Sequence, residues 1–438
     1  MVSRLASSAS KIGFWGNFGT RNWGNECTLQ AIVHNVRARL PEAELCCFCF
    51  EPGDTERRHG LSAFPISQSR WATAERPAGS PFSPRRLLRR LFAELRDWSE
   101  TFAVARLVDV VVMTGTGMLT DTSEGHFGLP YDMFKWALAV KISGRKLFFV
   151  SVGVEPIRGR IARLFILGAL RLADYRSYRD EQSREHLRRI GFATGDDAVF
   201  PDLAFSLPNA PAAAPPPSAG VHKPRVAVGV FDYCGRGQGG GTEAAAYRAY
   251  LEKLGSFVLW LLREGHPVRI IIGDFLYDEP VRKDLKVWLE ASGLARHAEH
   301  FEDRPAQSVE ELLEQIRSVD LVVASRFHNV LLAVFSGKPV ASISYNVKND
   351  ALVAEMGLSS YRQPIGELDV NRLIEQFTRL SENAARLRPV MLEKAASYRD
   401  QLASQYTLLF GSGAAARLEG DVTRGRAPDI VVAPVEVD

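Results

Sequence analysis

Short apolar runs alternate with longer amphipathic stretches along most of the chain. The runs "VDVVVMTG" (108–115) and "KLFFVSVG" (146–153) are almost continuously apolar, which is typical of parallel strands covered on both faces. Between such runs apolar residues recur at helical spacing, as they do from Leu29 to Leu40. This alternation predicts an α/β fold in which helices connect parallel strands.

The alternation occurs in two arrays, separated by a segment rich in proline and alanine. We predict a first Rossmann-like domain over 11–206 and a second over 225–410. Residues 207–224 lack periodicity and are predicted to form a semi-extended linker, and 411–438 to form a loose tail. Two successive arrays of this kind predict two Rossmann-like domains that face a cleft.

Charge and hydropathy narrow the class of protein. The 438 residues carry a formal net charge of +3 and show no basic stripe interleaved with aromatic residues, so nucleic acid is excluded as a partner. No apolar run approaches the length of a membrane span, and the first ten residues lack the apolar segment of a signal peptide. We therefore expect a cytoplasmic protein.

The five cysteines do not predict a metal site. Cys46, Cys47 and Cys49 crowd one predicted strand, where alternation sends Cys47 and Cys49 to one face and Cys46 to the other. Side chains on opposite faces of a sheet cannot share a metal ion, so these residues are predicted to be buried thiols.

The stretch "SPRRLLRRLFAELRDWSETFAVARL" (83–107) predicts a basic amphipathic helix. The favoured interpretation is a surface helix packed on its own domain. The alternative is peripheral contact with an anionic membrane surface, at the inner face of the membrane. Apolar residues form one face and arginines surround it: Leu87, Leu88, Leu91, Phe92 and Leu95, with Arg85, Arg86, Arg89 and Arg90.

Ligands of open α/β sheets bind at the carboxyl ends of strands, beside helix N-termini that favour anions. Strand one is followed by "GNFGTRNWGNE", whose glycines suit a tight turn, and Asn25 is the expected cap of the next helix. The spacing is neither the dinucleotide fingerprint nor a Walker motif. A turn without a ligand is the alternative. The candidate binding residues here are Gly19, Asn22, Gly24 and Asn25.

Three further strand ends carry candidates. "TGTGMLTD" supplies Gly115, Gly117 and Asp121, and "GVEP" follows the next strand; each is a weak signal alone. After "DYRSY", Arg179 stands at the sheet edge while Asp180 is positioned to cap a helix. A guanidinium there offers bidentate contact to a carboxylate or phosphate. The alternative is an arginine paired locally with a neighbouring aspartate.

The stretch "DLVVASRFHNVLLAVFSGKPVASISYNVK" (320–348) places Ser325, Arg326 and His328 between a predicted strand and a predicted helix. Phe327 is expected to point into the core while its neighbours face the cleft. Tyr345 and Lys348 follow the next strand. This half therefore predicts an anion site with a titratable imidazole, although a single histidine in such a place is often structural.

Taken in order, six elements resemble the polysaccharide pyruvyl transferase family over roughly 11–410. They are "GNFGTRNWGNE", "VVMTGTGMLTD", "SVGVEP", "YRDEQSREHLRRIG", "PDLAF" and "SRFHNVLLAVFSGKPVASISYNVK". The resemblance implies a GT-B-like architecture, with the acceptor on the N-terminal domain and the donor on the C-terminal domain. It also implies transfer of the pyruvyl group of phosphoenolpyruvate onto two hydroxyls of a sugar, which forms a cyclic ketal and releases phosphate.

The resemblance also implies roles for the candidates. Arg179 and Arg326 would meet phosphoenolpyruvate across the cleft, His328 would move a proton, and Lys348 or a helix N-terminus would hold the departing phosphate. No cofactor or metal is implied beyond phosphoenolpyruvate as co-substrate. The acceptor would be a polysaccharide precursor or cell-surface glycan, including a lipid-linked oligosaccharide. The chain departs from the family pattern at Asn25, where an acid is usual, at Thr116 within a glycine run, and at Asn329, where a small residue is usual.

Two other functions fit the same architecture. A GT-B glycosyltransferase would bind a nucleotide sugar, often with an acidic residue on the ribose. No acid is clearly placed for this near "SYNVKND", and Glu355 is the remaining candidate. A family member without activity would serve as a scaffold in polysaccharide assembly. The presence of Arg179, Arg326 and His328 argues against the scaffold.

Overall fold

The computed structural model describes residues 10–67, 84–115, 117–121, 128–208 and 223–411. Most of the predicted linker and all but the first residue of the predicted tail lie outside these ranges. The predicted domain bounds stay predictions. The described part of the chain forms two parallel sheets, each flanked by helices.

The first sheet has seven parallel strands in the order β3-β2-β1-β4-β5-β6-β7. The strands are β1 (Lys11–Trp15), β2 (Glu44–Cys49), β3 (Ser62–Pro65), β4 (Val110–Thr114), β5 (Lys146–Val152), β6 (Tyr175–Tyr178) and β7 (Ala198–Val199). The helices of this half are α1 (Trp23–Arg39), α2 (Pro52–His59), α3 (Pro84–Ala105), α4 (Leu129–Ile142), α5 (Arg160–Leu172) and α6 (Glu181–Arg189).

The second sheet has six parallel strands in the order β10-β9-β8-β11-β12-β13. They are β8 (Val226–Gly229), β9 (Val268–Ile271), β10 (Phe301–Glu302), β11 (Leu321–Ala324), β12 (Val340–Ser344) and β13 (Arg362–Pro364). The helices are α7 (Gly241–Arg263), α8 (Phe275–Ala291), α9 (Val309–Arg317), α10 (Phe327–Phe335), α11 (Val347–Glu355) and α12 (Val370–Phe410).

Burial explains why the strand sequences are almost continuously apolar. Every residue of β4, β8 and β11 is buried, because helices cover both faces of each sheet. In each sheet the strand order reverses beside the first strand, between β1 and β4 and again between β8 and β11. Such switch points are where open α/β sheets bind ligands.

The predicted alternation along β2 is confirmed, and Cys47 and Cys49 are buried, whereas Cys46 is only partly buried. Cys47 and Cys49 lie in one core cluster, while Cys46 packs against the other, as alternation along β2 requires. All five cysteines are free thiols, and burial raises the pKa of Cys46 to about 11. Across the described ranges, no helix is both long and apolar enough to cross a membrane.

Helix α12 joins the two halves at one side. It runs for 41 residues, and its last turns pack on the first sheet. The Gln405 amide donates to Ser177 Oγ at 2.7 Å and accepts from Ser151 Oγ at 3.1 Å. Ser151 has a φ of 49° at an irregularity between β5 and β6, so this amide supports a strained piece of the sheet.

A second junction lies at the base of the cleft. Trp23 N donates to Gly273 O and Phe275 N to Arg21 O, each at 3.0 Å. Between them the Asn22 amide donates to Asp274 Oδ2 at 2.7 Å. The loop before α1 and the loop before α8 thus form a short antiparallel bridge between the two halves.

Candidate functional site

A cavity of about 330 Å³ lies between the halves, at the carboxyl ends of strands on both sides of the two switch points. Trp15 at the end of β1 and Phe231 just after β8 form part of its wall. The cavity brings together a large share of the candidates that the sequence predicted: Asn22, Asn25, Gly117, Arg179, Arg326, His328, Tyr345 and Lys348.

Arg326 is held in a fixed orientation by a buried acid. It stands immediately before α10 and donates from Nε and Nη2 to the Asp278 carboxylate, at 2.9 and 2.7 Å. Asp278 is fully buried one turn into α8 and also accepts from the backbone of Gly273 and Asp274. Burial opposes the charge of Arg326, but Asp278 outweighs it and raises the pKa of the guanidinium. The cation is therefore permanent.

The helix that follows Arg326 begins without a side-chain cap. The first amides of a helix have no partner within the helix, and its N-terminus carries a partial positive charge. Here that N-terminus lies at the cavity wall, beside Phe327 and His328. The uncapped start of α10 therefore adds donors for an anion next to a guanidinium.

Arg179 reaches the same cavity from the first half. It follows β6, donates from Nη1 to Asp202 Oδ2 at 3.1 Å, and lies over the Phe327 ring at 4.7 Å. A side chain at Gly153 would collide with the guanidinium, so glycine is needed there. Asp180 caps α6 by accepting from Ser183 N at 2.7 Å, as predicted.

Asp202 is a site residue that was not among the candidates predicted from the sequence. It lies in the quoted "PDLAF" element, just after β7, and its carboxylate is 3.6 Å from His328 Nε2. Burial acts to raise its pKa, but His328 and Arg179 overcome that effect and lower the pKa to about 2. An ionised carboxylate therefore contacts both a guanidinium and the imidazole.

Gly24 makes room for the imidazole. It lies in the first turn of α1, and a Cβ at this position would collide with the His328 ring. The two elements come from opposite halves of the chain. Gly24 itself does not line the cavity, so its predicted role in substrate binding stays a prediction.

The predicted cap of α1 was wrong by three residues. The helix begins at Trp23, and its cap is Asn22, which accepts from Asn25 N at 3.3 Å. The Asn25 side chain instead donates to Asn17 O at 3.0 Å. An ionised acid, which is usual here in the family pattern, could not donate that bond.

Phe327 is buried and belongs to the core cluster, as expected. Its ring also forms part of the cavity wall between Arg179 and Lys348, at 4.7 and 5.8 Å from their charged groups. A ring face stabilises cations above it. Asn329 does not line the cavity; it is fully buried, and its amide has no hydrogen-bond partner among the described residues.

An ion pair spans the cavity. Lys348, at the start of α11, donates to Glu155 Oε1 at 2.7 Å, and Glu155 belongs to the quoted "SVGVEP" element of the first half. Tyr345 lines the same wall and stacks on Phe231 with ring centroids 4.2 Å apart. Glu155 is a second residue that sequence reasoning did not single out.

The remaining candidates lie outside the cavity lining, and their substrate-binding roles stay predictions. Gly19 donates from its amide to Glu26 Oε1 at 2.8 Å, and Gly115 packs against the backbone of Ser151. Asp121 accepts from the backbone amides of Arg158 and Gly159 before α5. Ser325 is fully buried. In the described part of the chain, no group of three acidic, histidine or cysteine residues could hold a metal ion.

Solved structures with a similar fold include UDP-N-acetylglucosamine 2-epimerases. One protein so assigned, from Listeria monocytogenes, is 14% identical with a TM-score of 0.56, over 97% of this chain and 100% of its own. A second UDP-N-acetylglucosamine 2-epimerase is 12% identical with a TM-score of 0.56, over 98% of this chain and 100% of its own. The Neisseria meningitidis enzyme, solved bound to UDP-GlcNAc, is 13% identical with a TM-score of 0.52, over 91% of this chain and 99% of its own. At identities this low, the similarity shows the fold alone. It confirms the predicted GT-B-like architecture.

Sequence comparison shows the family. A comparison with the curated proteins finds no match. The family model described as polysaccharide pyruvyl transferase matches residues 22–347. This span begins at the cap of α1 and ends at the first residue of α11, so it includes cavity residues from both halves. The chain therefore belongs to the polysaccharide pyruvyl transferase family.

Proposed function

We propose that this protein transfers the pyruvyl group of phosphoenolpyruvate onto two hydroxyls of a sugar, forming a ketal and releasing phosphate. The observation that carries the proposal is the meeting of Arg179, Arg326 and His328 in one cavity, although they come from opposite halves of the chain. Phosphoenolpyruvate bears a carboxylate and a phosphate, and guanidinium groups bind both in bidentate fashion.

The cationic side chains of the cavity can bind the carboxylate and the phosphate of phosphoenolpyruvate at different places. Arg179 and Arg326 are fixed by Asp202 and Asp278, and a guanidinium has more donors than one carboxylate can satisfy. Lys348 and the uncapped start of α10 lie at the same wall and suit the departing phosphate. The carboxylate and the phosphate of the donor are thereby held at separate places.

The proton balance assigns a role to His328. Ketal formation removes a proton from each of two hydroxyls; one ends on the methylene carbon, which becomes methyl, and the other leaves with phosphate. The imidazole can deliver the first proton and accept one from a hydroxyl, because a histidine ring nitrogen can either donate or accept a proton. The Asp202 carboxylate, 3.6 Å from Nε2, stabilises the protonated ring.

The acceptor is a sugar of a polysaccharide or cell-surface glycan precursor. The direct test is phosphate release from phosphoenolpyruvate against a panel of such glycans, followed by mass analysis of the product. We expect phosphate release to depend on the acceptor and the product to gain one pyruvyl ketal. Release of phosphate without mass gain, or mass gain from another donor, would overturn the proposal.

Ligand-induced stabilisation separates this function from nucleotide-sugar transfer, since a ligand that binds only the folded state raises the melting temperature. We expect a shift with phosphoenolpyruvate and none with nucleotide sugars. Glu355, the candidate for a ribose contact, accepts a hydrogen bond from the Tyr398 hydroxyl and does not line the cavity.

A further inference from the structure

Helix α3 presents an apolar stripe to solvent. Leu88, Leu91, Phe92 and Leu95 are 54%, 54%, 67% and 57% exposed. Their spacing puts them on one side of the helix, along two successive turns. Four large apolar side chains exposed together on one helix face mark an interaction surface, whereas isolated ones do not.

The stripe is not the side by which the helix is attached to its domain. Near the stripe that attachment is made through polar groups: Trp98 Nε1 donates to Tyr131 Oη at 2.9 Å, and Tyr131 Oη donates to Glu94 at 2.5 Å. Farther along, Phe102 and Ala105 pack in the core of the first half. Asp97, which is buried, pairs with Lys135 of α4. Glu94 and Asp97 therefore face the protein, and the apolar side chains of the stripe face away.

Charge on the outer side is positive. Arg89, Arg90 and Arg96 are exposed in the same stretch. Arg96 is paired with Glu100 on the same helix, and helical periodicity places Arg89 beside the stripe. Leucine and phenylalanine insert at the boundary between headgroups and acyl chains, while arginines next to them bind lipid phosphates. An apolar protein partner would not need the arginines, whereas an anionic bilayer uses both features.

We propose that the outer face of α3 docks on an anionic lipid bilayer, with the helix lying in the plane of the headgroups. Tyr131, which contacts this helix, lies two residues after Leu129, and Leu129 lines the cavity. Docking would therefore hold the cavity close to the membrane surface, where a lipid-linked sugar acceptor resides. That last step rests on the proposed function; the docking itself does not.

The test is sedimentation of the full chain with vesicles, without any substrate. Vesicles of phosphatidylcholine alone are compared with vesicles that also contain phosphatidylglycerol, at low and at raised salt. We expect binding to the anionic vesicles only, weakened by salt because screening reduces the arginine contribution. Since no substrate is present, failure of the pyruvyl transfer assay would leave this result unaffected, and the reverse holds as well.

Two double variants localise the contact. Leu91→Ser with Phe92→Ser is expected to lower the vesicle partition coefficient by about tenfold or more. The matched control, Ile142→Ser with Leu164→Ser, changes two equally exposed apolar residues (63% and 65%) elsewhere in the same half and is expected to bind like the wild type. Arg89→Glu should weaken binding and reduce its salt dependence.

Three results would overturn the proposal. The first is absence of binding to anionic vesicles, or equal binding by the Leu91 and Phe92 variant. The second is a dimer of the wild-type protein that the same variant abolishes, since the stripe would then bind a second copy. The third is strong protection of residues 88–95 from hydrogen exchange without vesicles, which would assign the stripe to a segment of the same chain, such as residues 68–83.

Discussion

His328 and Asp202 form the chemical centre of the candidate site, and each depends on a residue far away in the sequence. The imidazole fits only because Gly24, from the other half, has no side chain. The Asp202 carboxylate carries its charge in a buried position because Arg179 and His328 compensate for desolvation. A buried charge is tolerated only when it is paired in this way.

Replacing His328 with alanine should abolish turnover and leave donor binding largely intact, because the arginines bind phosphoenolpyruvate and the imidazole moves protons. We expect phosphate release with a glycan acceptor to fall by about 10²-fold or more. The melting-temperature shift caused by phosphoenolpyruvate should persist. His34→Ala, an exposed histidine on α1, is the control; near wild-type phosphate release by the His328 variant would refute the role.

Asp202→Asn should lower the free energy of unfolding by roughly 2 kcal/mol at neutral pH, since the folded pKa is about 2 and the ordinary value is about 4. The folded pKa is depressed, so the stabilisation is present above about pH 4 and is lost as pH falls toward 2. The difference between wild type and variant should therefore shrink on acidification.

Denaturant unfolding between neutral pH and about pH 3 measures that trend for Asp202→Asn. Asp400→Asn, an exposed position on α12, is the control and should show almost no difference. A stability difference for Asp202→Asn that stays constant with pH would contradict the ion-pair interpretation.

Gly24→Ala should displace the His328 ring, because the added Cβ collides with it. A misplacement of about 1 Å at a catalytic group can cost about 10²-fold, so we expect a large loss of turnover in a folded protein. Gly53→Ala, at the corresponding place in α2, meets no atom closer than 3.9 Å and should be neutral. Equal turnover by the two variants would show that the imidazole tolerates the methyl group.

The basic residues of the site could be predicted from the sequence more readily than its acidic residues. Arg179, Arg326 and His328 were identifiable because each stands directly after a predicted strand, where topology directs ligands. Asp202 and Asp278 are recognisable only through partners that the fold brings to them from distant segments. Glu155 was visible within a quoted element, but nothing in the sequence shows that Lys348 would reach it.

Among the elements, α12 connects the two halves, whereas the sequence pattern assigned its whole length to the second domain. Its amphipathic pattern reveals a buried face, but not that the face changes partner along its length. Near the C-terminal end, Gln405 holds Ser177 and Ser151 of the first sheet. A polar residue buried in this way appears in the sequence as an ordinary position on a helix.

Gln405→Ala should destabilise the protein by about 2 kcal/mol, because the buried hydroxyls of Ser151 and Ser177 each lose a hydrogen bond. Gln401→Ala, one turn earlier and exposed, should change stability by less than about 0.5 kcal/mol. Denaturant unfolding of both variants gives the comparison. Similar stabilities would mean that the contact between α12 and the strained strand contributes little.

The strands were the most predictable elements, since burial on both faces leaves a clear apolar run. Helix starts were less predictable. Asn25 was the cap expected for α1, but the helix begins before it, after Asn22. Both residues are good caps, so residue type alone could not decide between them. The loop conformation decides between them, and that conformation depends on the bridge to the other half.

At the scale of the whole molecule, the Glu155–Lys348 ion pair connects the two halves across the cavity. If the phosphate of the donor binds Lys348, then Glu155 competes with it for the same ammonium group. Glu155→Gln should therefore tighten phosphoenolpyruvate binding by about three- to tenfold, because the opposing charge is removed.

Calorimetric titration of phosphoenolpyruvate measures this affinity for Glu155→Gln. Glu185→Gln, which removes a surface carboxylate paired with Arg189 on α6, is the control and should leave it unchanged. Weaker binding by the Glu155 variant would instead indicate that the ion pair orients Lys348 for the donor.

The bridge between Asn22 and Asp274 has a consequence for inhibitor design. Together with α12 it fastens the halves on two sides of the cavity, so the cleft is shaped before any ligand arrives. A preorganised site does not spend binding free energy on closure, and a rigid ligand loses little entropy there. We therefore expect a stiff compound that carries a carboxylate and a non-hydrolysable phosphonate at fixed spacing to bind better than a flexible one with the same groups.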